Sequence, residues 1–171
     1  MPAIETSRLT LIAATPEALR AELARAGFAA ALGADVPSDW PPSPDYDANA
    51  IGYTLALQER EPAALEWGCR YFLLKGARPM LVGVGGYTGP AKDRQIEIGY
   101  AVMPSHRRAG LASEAAAALV RHAFAASNVE CVIAYTLAHL DSSIGVLTKC
   151  GFQFDGEGPE AGTVRYAIAR S

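Results

Sequence analysis

The sequence is poor in the residues that build metal centres and disulfide frameworks. It has only three histidines and three cysteines. Cys69, Cys131 and Cys150 are odd in number and scattered, without metal-ligand spacing. No metal is expected, and reduced, packed thiols fit a cytoplasmic setting. No run reaches the roughly 18 apolar residues of a membrane helix, so no membrane association is expected. The opening MPAIETSRL lacks the apolar core of a signal peptide. Net charge is only −3, which argues against a nucleic-acid partner. The glycines never fall into G-x-G-x-x-G, which argues against dinucleotide binding.

What is present is a chain half of whose residues are hydrophobic. At 171 residues it suits one domain spanning 1–171 with a real core. Arg8–Ala14 reads as a strand. Thr15-Pro16 starts a helix with a capping residue and a proline in its first turn, expected to run to about Ala26 and stop at Gly27. Gly33–Pro44 is a proline-rich loop long enough to have a function. Asp45–Arg60 reads as a helix. Trp67–Leu74, Met80–Tyr87, Gln95–Val102 and Cys131–Thr136 read as strands, and Gly110–Ala126 as a nearly all-round apolar helix that packs flat on a sheet. Ser142–Cys150 reads as a short helix stopped by Gly151. Phe152–Gly156 and Thr163–Ala169 form a closing hairpin.

The segment Gln95–Ala116 is the most informative. Ile96, Ile98, Tyr100 and Val102 alternate with Gln95, Glu97, Gly99 and Ala101, the period-two pattern of a strand, and Pro104 ends it. Arg107 and Arg108 then precede Gly110 and the long helix. A strand feeding a basic, glycine-containing turn at a helix N-terminus is a phosphate cradle. Cations are disfavoured at that end of the helix dipole, so two arginines there cost stability unless an anion arrives. The alternative reading is a solvated surface turn.

Arg107-Arg108-Ala109-Gly110-Leu111-Ala112 resembles the [QR]-x-x-G-x-[GA] acetyl-CoA signature of the GNAT acyltransferases. Ser143-Ile144-Gly145-Val146-Leu147-Thr148-Lys149-Cys150-Gly151-Phe152 resembles the S-x-x-V-L-x-K-x-G-F block of the branch that contains the ribosomal-protein N-terminal acetyltransferases. Glu5-Thr6-Ser7-Arg8-Leu9-Thr10-Leu11 resembles that branch's opening. The resemblance spans about Ile4 to Arg170. It implies an α/β (α+β) fold with a mixed, mostly antiparallel twisted sheet of six to seven strands flanked by helices. It also implies an acetyl-CoA-dependent N-acetyltransferase, acting without metal as monomer or homodimer. The acceptor would be a small-molecule amine or a protein N-terminus. The alternative is a non-catalytic acyl-CoA-binding module.

The resemblance places the pantetheine arm against the main chain of Ala101 and Val102 and the pyrophosphate on the amides from Arg108 through Ala109, Gly110 and Leu111 to Ala112. Arginine charge lies nearby, and Ser113 offers a hydroxyl or amide. An amine nucleophile must lose a proton before it attacks. Glu97, on the strand face opposite Ile96 and Ile98, is the candidate base, or else an amine anchor. A backbone amide near Tyr100 is expected to stabilise the developing oxyanion. The tyrosine that many GNAT proteins carry on the late helix is replaced by Leu147. Ser143, one turn earlier, is the candidate hydrogen-bond donor to the leaving sulfur, or else a helix cap. The family's CoA-contacting asparagine falls here on Leu140 or Asp141; Asp141 still accepts an amide proton, but a carboxylate does not reproduce asparagine as a donor. Trp40, Tyr46, Tyr135 and His139 are candidates for the acceptor pocket, with packing as the plainer role. His106 reads as a base or a turn residue.

Overall fold

The computed structural model describes residues 1–171. One eight-stranded sheet runs in the order β1-β2-β3-β4-β5-β6-β8-β7. Its strands are β1 Ile4–Glu5, β2 Leu9–Ala13, β3 Cys69–Leu74, β4 Met80–Tyr87, β5 Gln95–Val102, β6 Cys131–Leu137, β7 Gln153–Glu157 and β8 Thr163–Ala169. All neighbours pair antiparallel except β5 and β6, which are parallel. The mixed, mostly antiparallel sheet of the sequence reading is present, with one strand more than expected. The addition is β1, two residues long and paired through Ile4–Leu11 and Glu5–Thr10.

The helices are α1 Pro16–Ala24, α2 Phe28–Leu32, α3 Ala48–Arg60, α4 Leu111–Ala125 and α5 Asp141–Lys149. Thr15 caps α1 by accepting the Ala18 amide at 3.2 Å. The first helix ends two residues earlier than expected. Arg25 takes the left-handed conformation (φ 54°) and closes it, while Gly27 (φ 73°) opens α2 rather than ending α1. A five-residue helix without a side-chain cap leaves little periodic signal, so α2 was not anticipated.

Each face of the sheet buries its own core. One contains Leu9, Phe72, Val82, Ile96 and Ile98 against Ala115, Leu119 and Ala123 of α4 and Leu147 of α5. The other contains Tyr71, Leu81 and Val84 against Leu19 of α1, Phe28 of α2 and Ile51 of α3. Alternation in β5 therefore sorts its residues by face. Ile96 and Ile98 are buried in the core on the α4 side, and alternation turns Glu97, Gly99 and Ala101 toward the layer of α1 to α3.

The β5–β6 pairing is short. It joins Gln95–Cys131, Ile96–Val132 and Glu97–Ile133 and then ceases. Beyond it, β5 stays paired with β4 through Gly83–Val102 and Tyr87–Ile98, and β6 stays with β8 out to Leu137–Thr163. The sheet opens between β5 and β6 after Glu97, leaving the second half of β5 with a strand neighbour on one side only.

Candidate active site

The opening in the sheet lies between two structures that the sequence builds locally. On the β5 side, Pro104–His106 makes a 3-10 turn that carries the chain to α4. Arg108 (φ 62°) and Gly110 (φ 78°) both adopt the left-handed conformation. Such residues turn main-chain amides into an anion-binding concavity, and the first amides of α4 lack helical partners. Gly110 is the N-cap of α4 and makes no side-chain cap bond. The two arginines divide the work. Arg107 donates its Nε to the Val102 carbonyl at 3.1 Å and its Nη2 to the Pro42 carbonyl at 3.3 Å, tying the proline-rich loop to the end of β5. Arg108 is exposed beside the turn.

The cradle is held from behind by residues whose role the sequence pattern did not disclose. Arg8 donates through Nη1 to the Ala109 carbonyl at 2.7 Å and through Nε to Glu114 at 2.7 Å. Glu114, in the first turns of α4, also accepts the Thr6 hydroxyl at 2.6 Å and the Arg8 amide at 2.8 Å. Burial alone would raise the Glu114 pKa. The bonds from Thr6 and Arg8 overcome this and hold it at about 2. The Thr-Ser-Arg opening is thus a clamp on the cradle, and Glu114 supplies the negative charge that the helix N-terminus favours.

On the sheet face away from α4 lies an open cleft of about 360 Å³, lined by Tyr46, Thr54, Cys69, Val84, Thr88 and Ala101 among others. Glu97 lies beside it, bonded to the lining residue Thr88. The Thr88 hydroxyl donates to the Glu97 carboxylate at 3.4 Å. Half-burial raises the Glu97 pKa above the ordinary carboxylate value, with the Thr88 bond opposing.

The wall of this cleft is fixed by a group that sequence reasoning missed. Glu22 of α1 is 8% exposed and accepts three hydrogen bonds: from Trp40 Nε1 at 2.7 Å, Tyr46 Oη at 2.9 Å and Tyr71 Oη at 2.6 Å. Burial foremost, with the neighbouring acidic groups, pushes both phenols far above their ordinary value. They remain protonated donors. Trp40 packs edge-on to Tyr46, centroids 6.0 Å apart, so it supports the wall from behind while Tyr46 faces the cleft. The available signal was an acid on the apolar face of α1, in line with buried Ala18 and Leu19.

At the other side of the opening, α5 begins at Asp141. Its N-cap is Leu140, with no side-chain cap bond, so neither Ser142 nor Ser143 serves as the cap. The Tyr100 hydroxyl reaches the Ser143 carbonyl at 3.5 Å, the outer limit of a hydrogen bond. Burial pushes that phenol up to about 12. Leu147 is buried in the core at 1% exposure, so its side chain does not face the opening. Cys150 is half-buried behind, donating to the Ser113 carbonyl at 3.4 Å. Tyr135 shares the Glu97 face of the sheet, across the opening, opposite Arg165 of β8. Asp141 and His139 are exposed in the first turn of α5 and the loop before it. His106 pairs with the neighbouring Ser105 hydroxyl at 3.0 Å, a local turn contact.

Comparison with known proteins agrees with this fold. A model of the acetyltransferase (GNAT) domain matches residues 8–153. An uncharacterised N-acetyltransferase, YoaA of Bacillus subtilis (strain 168), is 29% identical over 103 residues, 60% of this chain and 56% of that protein. The match thus spans little more than half of that relative's length. The RimL ribosomal L7/L12 alpha-N-protein acetyltransferase, solved with coenzyme A, superposes with a TM-score of 0.65 at 19% identity, covering 98% of this chain and 97% of that one. A spermidine N-acetyltransferase SpeG chimera from Vibrio cholerae and hSSAT superposes at 0.65 with 17% identity, covering 95% and 96%. At these identities the superpositions speak to the fold. The family model covers most of the chain, and the chain belongs to the GNAT acetyltransferase family.

Proposed function

We propose that the protein is an acetyl-CoA-dependent N-acetyltransferase that acts on a primary amine by direct attack within a ternary complex. The observation that carries this reading is the opening of the sheet after Glu97, with a basic turn at the start of α4 at one end and, on the adjoining face, a cleft whose lining residue Thr88 bonds Glu97. The residues present suit acetyl-CoA. The left-handed turn at Arg108 and Gly110 and the first amides of α4 would hold the pyrophosphate. The one-sided second half of β5 at Ala101 and Val102 would take the pantetheine amides as an added strand would. When bound, acetyl-CoA supplies an activated acyl thioester.

The chain's own groups then handle protons and position. Glu97, with its raised pKa, accepts a proton from the acceptor ammonium directly or through water. The Ser143 hydroxyl, on the α5 side of the opening, offers a hydrogen bond toward the leaving sulfur, and the backbone amide near Tyr100 on β5 offers one to the developing oxyanion. Tyr46, fixed by Glu22, shapes the acceptor wall. An amine-acceptor reading fits relatives whose names specify a ribosomal protein N-terminus or spermidine. The competing reading is a CoA-binding module without turnover. It draws on Leu147, whose side chain is committed to the core.

Release of free thiol from acetyl-CoA, screened across N-terminal peptides and small amines, decides between them. Glu97→Gln should keep CoA affinity and lower kcat on the order of 10²-fold, with the loss shrinking as pH rises and the amine deprotonates unaided. CoA binding without thiol release for any amine would establish the binding module. Absence of CoA binding at millimolar ligand in low salt would remove both readings.

A further inference from the structure

β4 and β5 carry four glycines side by side: Gly83, Gly85, Gly86 and Gly99. The fold accounts for three of them. A β-carbon on Gly83 would stand 2.7 Å from the Ala101 carbonyl oxygen and 2.9 Å from the Phe72 ring. One on Gly85 would overlap the Gly99 carbonyl and stand 2.7 Å from the same ring. One on Gly86, whose φ is +131°, would overlap the Gly68 carbonyl. Gly99 is different. Its φ is not in the left-handed region, and a β-carbon there would meet no atom within 4 Å. It lies in the cleft lining and is exposed. Glycine in a strand interior is less stable than alanine, so nothing in the packing or the backbone asks for it.

The missing side chain would rise from the cleft face, between Glu97 two residues before and Ala101 two residues after, opposite the bare Gly86. A strand-like cofactor arm on β5 would occupy the edge of the strand, in the plane of the sheet. A ligand that fills space above Gly99 must come from the face. We infer that Gly99 is a specificity-determining residue: its empty side-chain position admits a substituent on the acceptor carbon that bears the reacting amine. This rests on the N-acetyltransferase reading above. The acceptor class it assigns is an amine on a substituted carbon, as opposed to one that must be unbranched.

The test uses the best acceptor found for the wild-type protein in the thiol-release screen, paired with the analogue that differs by one methyl on the amine-bearing carbon. Gly99→Ala and Gly99→Val are compared with wild type by kcat/KM, thermal melting and CoA calorimetry. Wild type should accept both amines. Gly99→Ala should melt at the same or a higher temperature and bind CoA unchanged. It should lose about tenfold or more in kcat/KM for the substituted amine relative to the unsubstituted one, through KM, and Gly99→Val should widen the gap. Equal losses for the two amines, a fall in CoA affinity, or a lower melting temperature without a selective loss would each overturn the proposal. Wild-type turnover with unselective variants removes only the role of Gly99. No wild-type turnover with any amine removes the N-acetyltransferase reading and this inference with it.

Discussion

At the scale of single residues, the two adjacent arginines have different duties, so single substitutions should separate what a double substitution merges. Arg107 is bound to the Val102 and Pro42 carbonyls, whereas Arg108 projects from a left-handed turn. Arg108→Ala should weaken CoA binding by about 1.5–3 kcal/mol, the worth of one charge-assisted hydrogen bond, with little change in melting temperature. Calorimetry showing full affinity would move the phosphates elsewhere. Glu97 yields a second residue-scale expectation. Burial raises its folded-state pKa above the unfolded value. Its contribution to stability is therefore intact below the ordinary carboxylate range and is lost as pH rises through the folded value. Glu97→Gln should raise the melting temperature near neutral pH, and the gain should vanish in acid. A stability change independent of pH would mean that the carboxylate carries no such penalty.

At the scale of elements, the start of α4 is secured by the N-terminal segment through Glu114. The folded pKa of Glu114 lies at about 2, below its ordinary 4.5, so its contribution is fully present above the unfolded value and is lost as pH falls from about 4.5 through about 2. Glu114→Gln should destabilise the protein at neutral pH, and its melting curve should converge on that of wild type as pH falls through this window. CoA affinity should drop as well, because Arg8 holds the Ala109 carbonyl of the cradle. Loss of stability with unaltered CoA affinity would show that the clamp supports the helix without shaping the cradle.

At the scale of the molecule, Glu22 joins parts far apart in sequence: α1, the loop at Trp40, the segment before α3 at Tyr46, and β3 at Tyr71. An amide has one acceptor oxygen where the carboxylate has two, so Glu22→Gln leaves at least one buried donor without a partner. That costs about 1–3 kcal/mol. The acceptor KM should rise while CoA affinity stays unchanged, because the network lies behind the Tyr46 wall and away from the cradle. Tryptophan fluorescence should report the altered Trp40 environment. A variant with wild-type stability and kinetics would show that the wall stands without the carboxylate.

The parts of this protein legible from sequence are those fixed by local periodicity. β4, β5 and β8 lie where alternation and turn residues placed them, because a side-chain period of two is written in consecutive residues. The proposed cradle could be picked out for the same reason: its strand end, arginines, Gly110 and helix start lie within one short segment. β1 and α2 were not, being too short to show a period. Local pattern set which face of β5 carries Glu97 and singled out the turn proposed to hold a phosphate. That β5 and β6 part after Glu97, that Arg8 and Glu114 meet across 106 residues of chain, and that Glu22 ties the cleft wall together follow from long-range packing alone. Strand pairing and buried hydrogen bonds are settled by which distant groups meet once both faces of the sheet are covered, and spacing along the chain carries no record of such meetings.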